Sequence, residues 1–180
     1  MAHIDTNEVI VGAVWIRPTG DALDRIAKAI RLVHARGGGP QVQPHVTLLS
    51  GMETTRESAE TKLKRLALRM KPFTIRLGRI DWRDDYFRSL FATVEPSEEL
   101  AKAQRDAYDV FEMKPAPRFE PHLSLLYGDI DETLKRELAA ESGGSLNVAF
   151  DVTAVDLVNA SRGVPVTAWR TIGERAIPGA

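Results

Sequence analysis

The sequence predicts an α+β fold in which strands outnumber helices, strand pairing is antiparallel, and the two halves of the chain echo each other. Three observations carry this. Short apolar runs with β-branched or aromatic members alternate with amphipathic stretches, in the order strand, helix, strand, helix, strand, strand, helix, strand, helix, strand, strand. Twice, one strand follows another without an intervening helix, which implies antiparallel pairing and argues against a doubly wound parallel sheet. Finally, one eight-residue pattern occurs twice: Pro44-His45-Val46-Thr47-Leu48-Leu49-Ser50-Gly51 and Pro121-His122-Leu123-Ser124-Leu125-Leu126-Tyr127-Gly128, with the histidines 77 positions apart.

The elements follow in order. Residues 8–16 are apolar almost throughout and read as a strand covered on both faces. Thr19-Gly20-Asp21 opens a helix with Leu23, Ile26, Ala27, Ile30 and Val33 at helical spacing. Gly37-Gly38-Gly39-Pro40 ends it and leads into the first Pro-His strand. A capping box, Thr54-Thr55-Arg56-Glu57, starts a second helix with the stripe Ala59, Leu63, Leu66 and Met70. Residues 72–82 alternate as a strand, Asp84-Asp85 turns the chain, and residues 86–94 return as the hairpin partner. Pro96-Ser97-Glu98-Glu99 caps a third helix with Leu100, Ala103, Ala107, Val110 and Phe111 inward. The stiff connector Pro115-Ala116-Pro117 delivers the second Pro-His strand. Asp131 caps a shorter fourth helix carrying Leu134 and Leu138, Ser142-Gly143-Gly144-Ser145 is a loop, and residues 148–158 and 165–172 are two closing strands.

Composition narrows the function. A chain of 180 residues, 43% hydrophobic and 27% charged, suits one domain spanning residues 1–180 and built of two similar halves around a real core. The net charge of −1 argues against a surface that tracks long nucleic acid, while a small phosphorylated ligand needs only a few local donors. The absence of cysteine removes disulfides, thiolate nucleophiles and thiolate zinc sites. Met1-Ala2-His3-Ile4-Asp5 is not a basic region leading into an apolar run, and no window reaches the length of a membrane span, so a cytoplasmic monomer with no membrane partner is expected.

The repeat carries the chemistry. Alternate side chains of a strand share a face, so His45 and Thr47 point the same way, as do His122 and Ser124. A single strand histidine is more often a packing residue than a catalytic one. The repeat, however, keeps a titratable group and a hydroxyl at i and i+2, and packing requires neither. Two imidazoles flanking a substrate can divide proton transfer, one taking a proton from the nucleophile and the other giving one to the leaving group, each worth roughly 10²–10⁴-fold. Two hydroxyls beside them can donate to non-bridging oxygens whose charge grows in the transition state. Such a set suits attack at the phosphorus of a phosphodiester without a metal.

With these motifs the chain resembles the 2H phosphoesterase superfamily, and within it most nearly the cyclic phosphodiesterases of plants and fungi. The resemblance rests on Gly39-Pro40-x-x-x-Pro44-His45-Val46-Thr47 and Pro121-His122-Leu123-Ser124-Leu125-Leu126-Tyr127, and extends weakly to Phe87-x-x-x-Phe91 and Trp169-x-Thr171. It implies a bilobal fold of two antiparallel sheets with outer helices and a water-filled central cleft. It also implies metal-independent, cofactor-free hydrolysis of ADP-ribose 1″,2″-cyclic phosphate or nucleoside 2′,3′-cyclic phosphates. Under the resemblance His45 and His122 form the acid–base pair, Thr47 and Ser124 donate to the phosphate, and Tyr127 and Phe87 line the site, Phe87 as a stacking surface for a base.

Some positions have competing readings. Tyr127 lies five positions after His122, so a regular strand turns it to the opposite face, and it reaches the cleft only where the strand bends near Gly128. Phe87 serves equally as a core aromatic of a hairpin. His34 in a helix's last turn reads as structural, His3 as a mobile terminal residue, Arg88, Arg162 and Arg170 as solvated cations, and Gly37–Gly39 lacks the Lys-Ser/Thr of a phosphate loop. Competing functions are an RNA 2′,5′-ligase-like or RNA 3′-end phosphodiesterase, a non-catalytic nucleotide-binding module, and a metallohydrolase with His45 and His122 as ligands. The last is disfavoured because the motifs bring no carboxylate at ligand spacing and no His-x-His.

Overall fold

In the computed structural model, which describes residues 7–115, 118–161 and 163–180, the predicted alternation folds as β1 (Val9–Ile16), α1 (Gly20–Gly37), β2 (Val46–Thr55), α2 (Arg56–Arg69), β3 (Phe73–Asp81), β4 (Leu90–Val94), α3 (Glu98–Val110), β5 (His122–Leu126), α4 (Glu132–Glu141), β6 (Ala149–Val152), β7 (Ala154–Asn159) and β8 (Arg170–Ala176). The readings made at His3, Ala116, Pro117 and Arg162 fall outside the described residues. Three of the helices begin where a side chain can satisfy a free backbone N–H. Ser97 accepts from the Leu100 amide and Asp131 from the Leu134 amide, as predicted. For α2 the cap is Thr55, accepting from the Ser58 amide, and not the expected box of Thr54 and Glu57. The reason is that β2 runs on through this point, with Thr54 still paired to Ile10 in β1.

The α+β class and the antiparallel pairing are as expected, but the two expected sheets are halves of one ladder. Its spatial order is β6-β3-β4-β5-β2-β1-β7-β8, and every pairing is antiparallel. The halves β6-β3-β4-β5 and β2-β1-β7-β8 meet through one residue pair, Val46 opposite Leu123. Both residues are fully buried, so the two Pro-His strands join through their apolar faces. Residues 148–158, which read as one strand, serve both halves. β6 pairs with β3 and β7 with β1, and only Thr153 separates them. Since one residue spans about 3.3 Å along a strand, strands near opposite ends of the order must lie next to each other, and the ladder curls to bring them there. The strands expected over 86–94 and 165–172 are each preceded by a 3₁₀ turn, Tyr86–Arg88 and Val166–Ala168, so β4 and β8 start later than the sequence suggests.

The main core lies between the ladder and the helices. Ile26, Ile30 and Val33 of α1, Leu63 and Leu66 of α2, and Leu100 and Val110 of α3 pack against Val46, Leu48, Leu123 and Leu125. Each such side chain contributes about 1.5–3 kcal/mol when removed from water. A second apolar cluster, built from Ala13, Trp15, Val42, Tyr127, Val158 and Trp169, forms separately from this core. No helix among the described residues is long and apolar enough to cross a membrane.

Gly39 ties the two halves together before the first motif. It sits at φ +76°, and a Cβ there would collide with the backbone carbonyl oxygen of Tyr127, at the end of β5. Gly39→Ala is therefore expected to lose about 2 kcal/mol or more, since it combines left-handed backbone strain with a backbone clash. Urea unfolding of the variant against the parent protein checks this.

Candidate active site

His45 is the residue immediately before β2, and β1 supplies its support. The imidazole stacks on the indole of Trp15, ring centroids 3.6 Å apart and planes inclined by 13°. Its Nδ1 lies 2.6 Å from the carbonyl oxygen of Gln43. A carbonyl can only accept, so Nδ1 carries the hydrogen and the neutral ring has a bare Nε2. The second motif repeats the device: Nδ1 of His122 donates to the carbonyl of Glu120 at 3.0 Å, and the ring packs edge-on to Phe91, centroids 5.4 Å apart. In both copies a proline separates the histidine from its carbonyl partner. Its fixed φ, and the extended backbone it imposes on the residue before it, preset this short contact. That explains why the repeat begins Pro-His.

Register places the four polar groups together. Extending the Val46–Leu123 pairing by one residue each way sets His45 across from Ser124 and Thr47 across from His122, all on the face opposite the buried Val46 and Leu123. The two imidazoles then occupy one diagonal of the square, at a backbone separation of ~7–8 Å. Both rings line a single cavity of about 540 Å³, together with Thr47 and Ser124. Neither Nε2 has a protein hydrogen-bond partner among the described residues. The two hydroxyls differ in what they are free to do. The Thr47 hydroxyl has no protein partner among the described residues, whereas Ser124 donates to the Phe87 carbonyl at 3.1 Å.

Phe87 and Tyr127 also line the cavity. β5 stops at Leu126, so Tyr127 is free of the strand's alternation. Its buried ring meets Phe87 edge-on at 5.3 Å, and the next amide, of Gly128, donates to the Tyr86 carbonyl. Burial pushes the Tyr127 phenol up to about 12, with the Ser124 hydroxyl opposing the shift, so it stays a neutral donor. Phe87 lies on the 3₁₀ turn before β4, stacked on Trp169 with centroids 6.0 Å apart and planes 15° apart. Asp85 caps that turn through the Phe87 amide. Buried Lys135 of α4 holds the preceding loop by donating to the Arg83 carbonyl at 2.9 Å.

Sequence reasoning missed Trp15, Glu120 and Asp85 as site residues, and it read Arg88 as a surface cation. Trp15 was legible only as the odd ring in an otherwise aliphatic strand. Arg88 pairs with Glu120 at 2.9 Å, and Arg118 pairs with the other carboxylate oxygen at 3.0 Å. Glu120 thus links two arginines while its backbone orients His122. The two arginines hold its carboxyl below the usual range, the Arg88 hydrogen bond contributing most.

The histidines differ in their surroundings. Burial pulls His45 down to about 4. The Gln43 carbonyl works against this, while positive charge on His122 and Arg17 adds to it. Arg17 is itself locked in a two-pronged pair with the buried carboxylate of Asp156. His122 is also lowered by burial, but the Glu120 carbonyl and the carboxylates of Asp85 and Glu120 pull upward against that burial and Arg88. Among the described residues no group of three or more His, Asp or Glu side chains is placed to hold a metal ion.

An antiparallel α+β ladder that turns two His-x-hydroxyl strands onto one cavity, with each imidazole held through Nδ1, is the arrangement expected of a two-histidine phosphoesterase. Comparison with known proteins agrees. The family model of the 2′-5′ RNA ligase superfamily matches residues 19–164, and the chain belongs to that superfamily, the 2H phosphoesterases. It is 25% identical over 141 residues to the cyclic phosphodiesterase of Arabidopsis thaliana, covering 78% of this chain and 77% of the relative. Among solved structures, TT0787 of Thermus thermophilus matches with a TM-score of 0.65 at 17% identity, over 93% of this chain and 98% of that one. LigT of E. coli in its apo form matches with a TM-score of 0.61 at 16% identity, over 94% and 98%. At such identities the structural likeness establishes the fold.

Proposed function

We propose that the protein hydrolyses a small cyclic phosphodiester on a nucleotide, with His45 as general base and His122 as general acid. The observation that carries this is the pair of free Nε2 atoms on one cavity, each ring fixed from behind by a carbonyl. A water oxygen attacks phosphorus and passes its proton to Nε2 of His45. The bond from phosphorus to one ribose oxygen breaks, and that oxygen takes the proton from Nε2 of His122. One water is added, a phosphomonoester and a free hydroxyl result, and the imidazoles return to their starting states by exchanging protons with solvent. His45 suits the base because burial keeps it neutral, and His122 suits the acid better than His45 does because Asp85 and Glu120 offset part of the lowering that burial imposes on it. Thr47 donates to a non-bridging oxygen, joined by Ser124 once it releases the Phe87 carbonyl. Tyr127 and Phe87 complete the wall, with Trp15 and Trp169 adding flat apolar surface.

The relatives support a small nucleotide. The Arabidopsis thaliana protein is named a cyclic phosphodiesterase, and LigT of E. coli has been solved with 3′-AMP, with ATP and with NADP+. The test is a panel of the four 2′,3′-cyclic nucleotides and ADP-ribose 1″,2″-cyclic phosphate, with product regiochemistry read by ³¹P NMR. An oligonucleotide ending in a 2′,3′-cyclic phosphate serves as competitor, and preference for it would favour the RNA-processing reading. Tight binding with no phosphomonoester formed would reduce the protein to a nucleotide-binding module. Both protons move through imidazoles, so EDTA is expected to leave the rate unchanged; a large loss restored by an added divalent cation would contradict the mechanism.

A further inference from the structure

α3 brings a polar group to the cavity that the proposed mechanism does not use. Gln104 is 6% exposed, lines the same cavity as the two histidines, and its side chain has no hydrogen-bond partner among the described residues. Its amide atoms reach the open cavity and are not sealed in the core: among the described residues the fully buried side-chain polar atom without a partner is the Ser89 hydroxyl, not the Gln104 amide. An apolar residue would suit the core side of α3 better, where Leu100, Ala103, Ala107 and Val110 are all buried. Tyr108, one turn further along the helix, lines the cavity too, as does Phe119.

We propose that Gln104, with Tyr108 and Phe119, forms a recognition site for the nucleobase of the substrate. The inference rests on the cyclic-nucleotide reading above and names what holds the end of the ligand remote from phosphorus. A carboxamide presents one donor and one acceptor side by side, which complements a base edge offering the converse pair, such as N6 and N7 of adenine. A second phosphate would instead call for the cations, and Arg88 and Arg118 already share Glu120. The two rings supply the apolar faces on which bases stack. Reach is adequate: the cavity follows β2 from Thr47 to Gly51, ~13 Å of strand, so it accommodates more than a phosphate, and α3 packs against β2.

The test compares wild type with Gln104→Leu on 2′,3′-cyclic AMP and on methyl ribofuranoside 2,3-cyclic phosphate, which lacks a base. The variant is expected to raise KM for cyclic AMP roughly 5- to 150-fold, the equivalent of one bidentate amide–base contact, with kcat unchanged. KM for the base-free compound stays the same. The melting temperature is expected to stay within about 2 °C of wild type, because the substitution removes no protein hydrogen bond and the amide faces the open cavity; a merely structural glutamine would lower it. Equal losses on both substrates, or no change on cyclic AMP, overturn the proposal. Calorimetric binding of adenosine 2′-monophosphate separates this inference from the reaction. If wild type opens neither cyclic phosphate, weaker binding of that nucleotide by Gln104→Leu still upholds the base site, and equal binding by the two proteins ends it.

Discussion

Replacing His122 by alanine is expected to lower kcat on a cyclic nucleotide by about 10²–10⁴-fold, the usual worth of a positioned general acid, while circular dichroism stays that of the parent. His122 is the cleaner of the two positions. It is only partly buried and edge-packed on Phe91, so its removal leaves a shallow gap on the cavity wall. His45 is buried against Trp15, and truncation there also removes a packed ring. His45→Gln is the better partner because it keeps a polar group near the Gln43 carbonyl. If the imidazoles act in one proton-transfer step, the double variant falls little below either single one, because each loss already disables the pair. Two independent, multiplying losses would mean that the residues serve separate steps. Unchanged turnover in both single variants would end the two-histidine mechanism.

Acid pH is expected to weaken the fold through His45 by on the order of 3 kcal/mol. The folded-state value is pulled down to about 4, against roughly 6.5 for an unfolded chain. The unfolded chain therefore takes up this proton first as pH falls. The stabilisation is fully present above about 6.5, shrinks as pH drops toward 4, and is lost below that. Carboxylates titrate over part of the same range, so the measurement is a difference: urea unfolding of wild type and His45→Phe at about pH 7.5, 5.5 and 4, conditions set only to bracket that window. Phenylalanine keeps a flat ring against Trp15 and cannot ionise. The gap between the proteins should move in favour of the variant as pH falls, and a constant gap would mean that His45 charges as easily in the fold as outside it.

Much of the architecture was legible because local rules and tertiary structure agree. Ser97 and Asp131 cap the helices they were expected to cap, and the apolar stripes of α1, α2 and α3 face the core, except that Leu23, in the first turn of α1, is exposed. The two Pro-His strands pair through the apolar residues that alternate with the polar ones. What the pattern could not supply was partnership. Residues 148–158 alternate as a strand should, yet periodicity fixes only which face is buried, not that β6 belongs with β3 and β7 with β1. Tyr127 could not be placed because its direction depends on β5 ending one residue earlier, at Leu126. Of the site, His45, Thr47, His122 and Ser124 stood out as a repeated unit. Trp15, Glu120 and Gln104 occur once each, in segments whose local patterns account for them without a cavity, so only the fold reveals that they share one.

The rung between Val46 and Leu123 lies one residue from each imidazole, and the chain crosses between the halves again at Thr153. Helices brace this seam from behind, since α1 packs against β5 and α3 against β2, and Gly39 lies close against the Tyr127 carbonyl. The polar residues on the cavity wall therefore sit where the two halves are joined, and not on a free edge of either one.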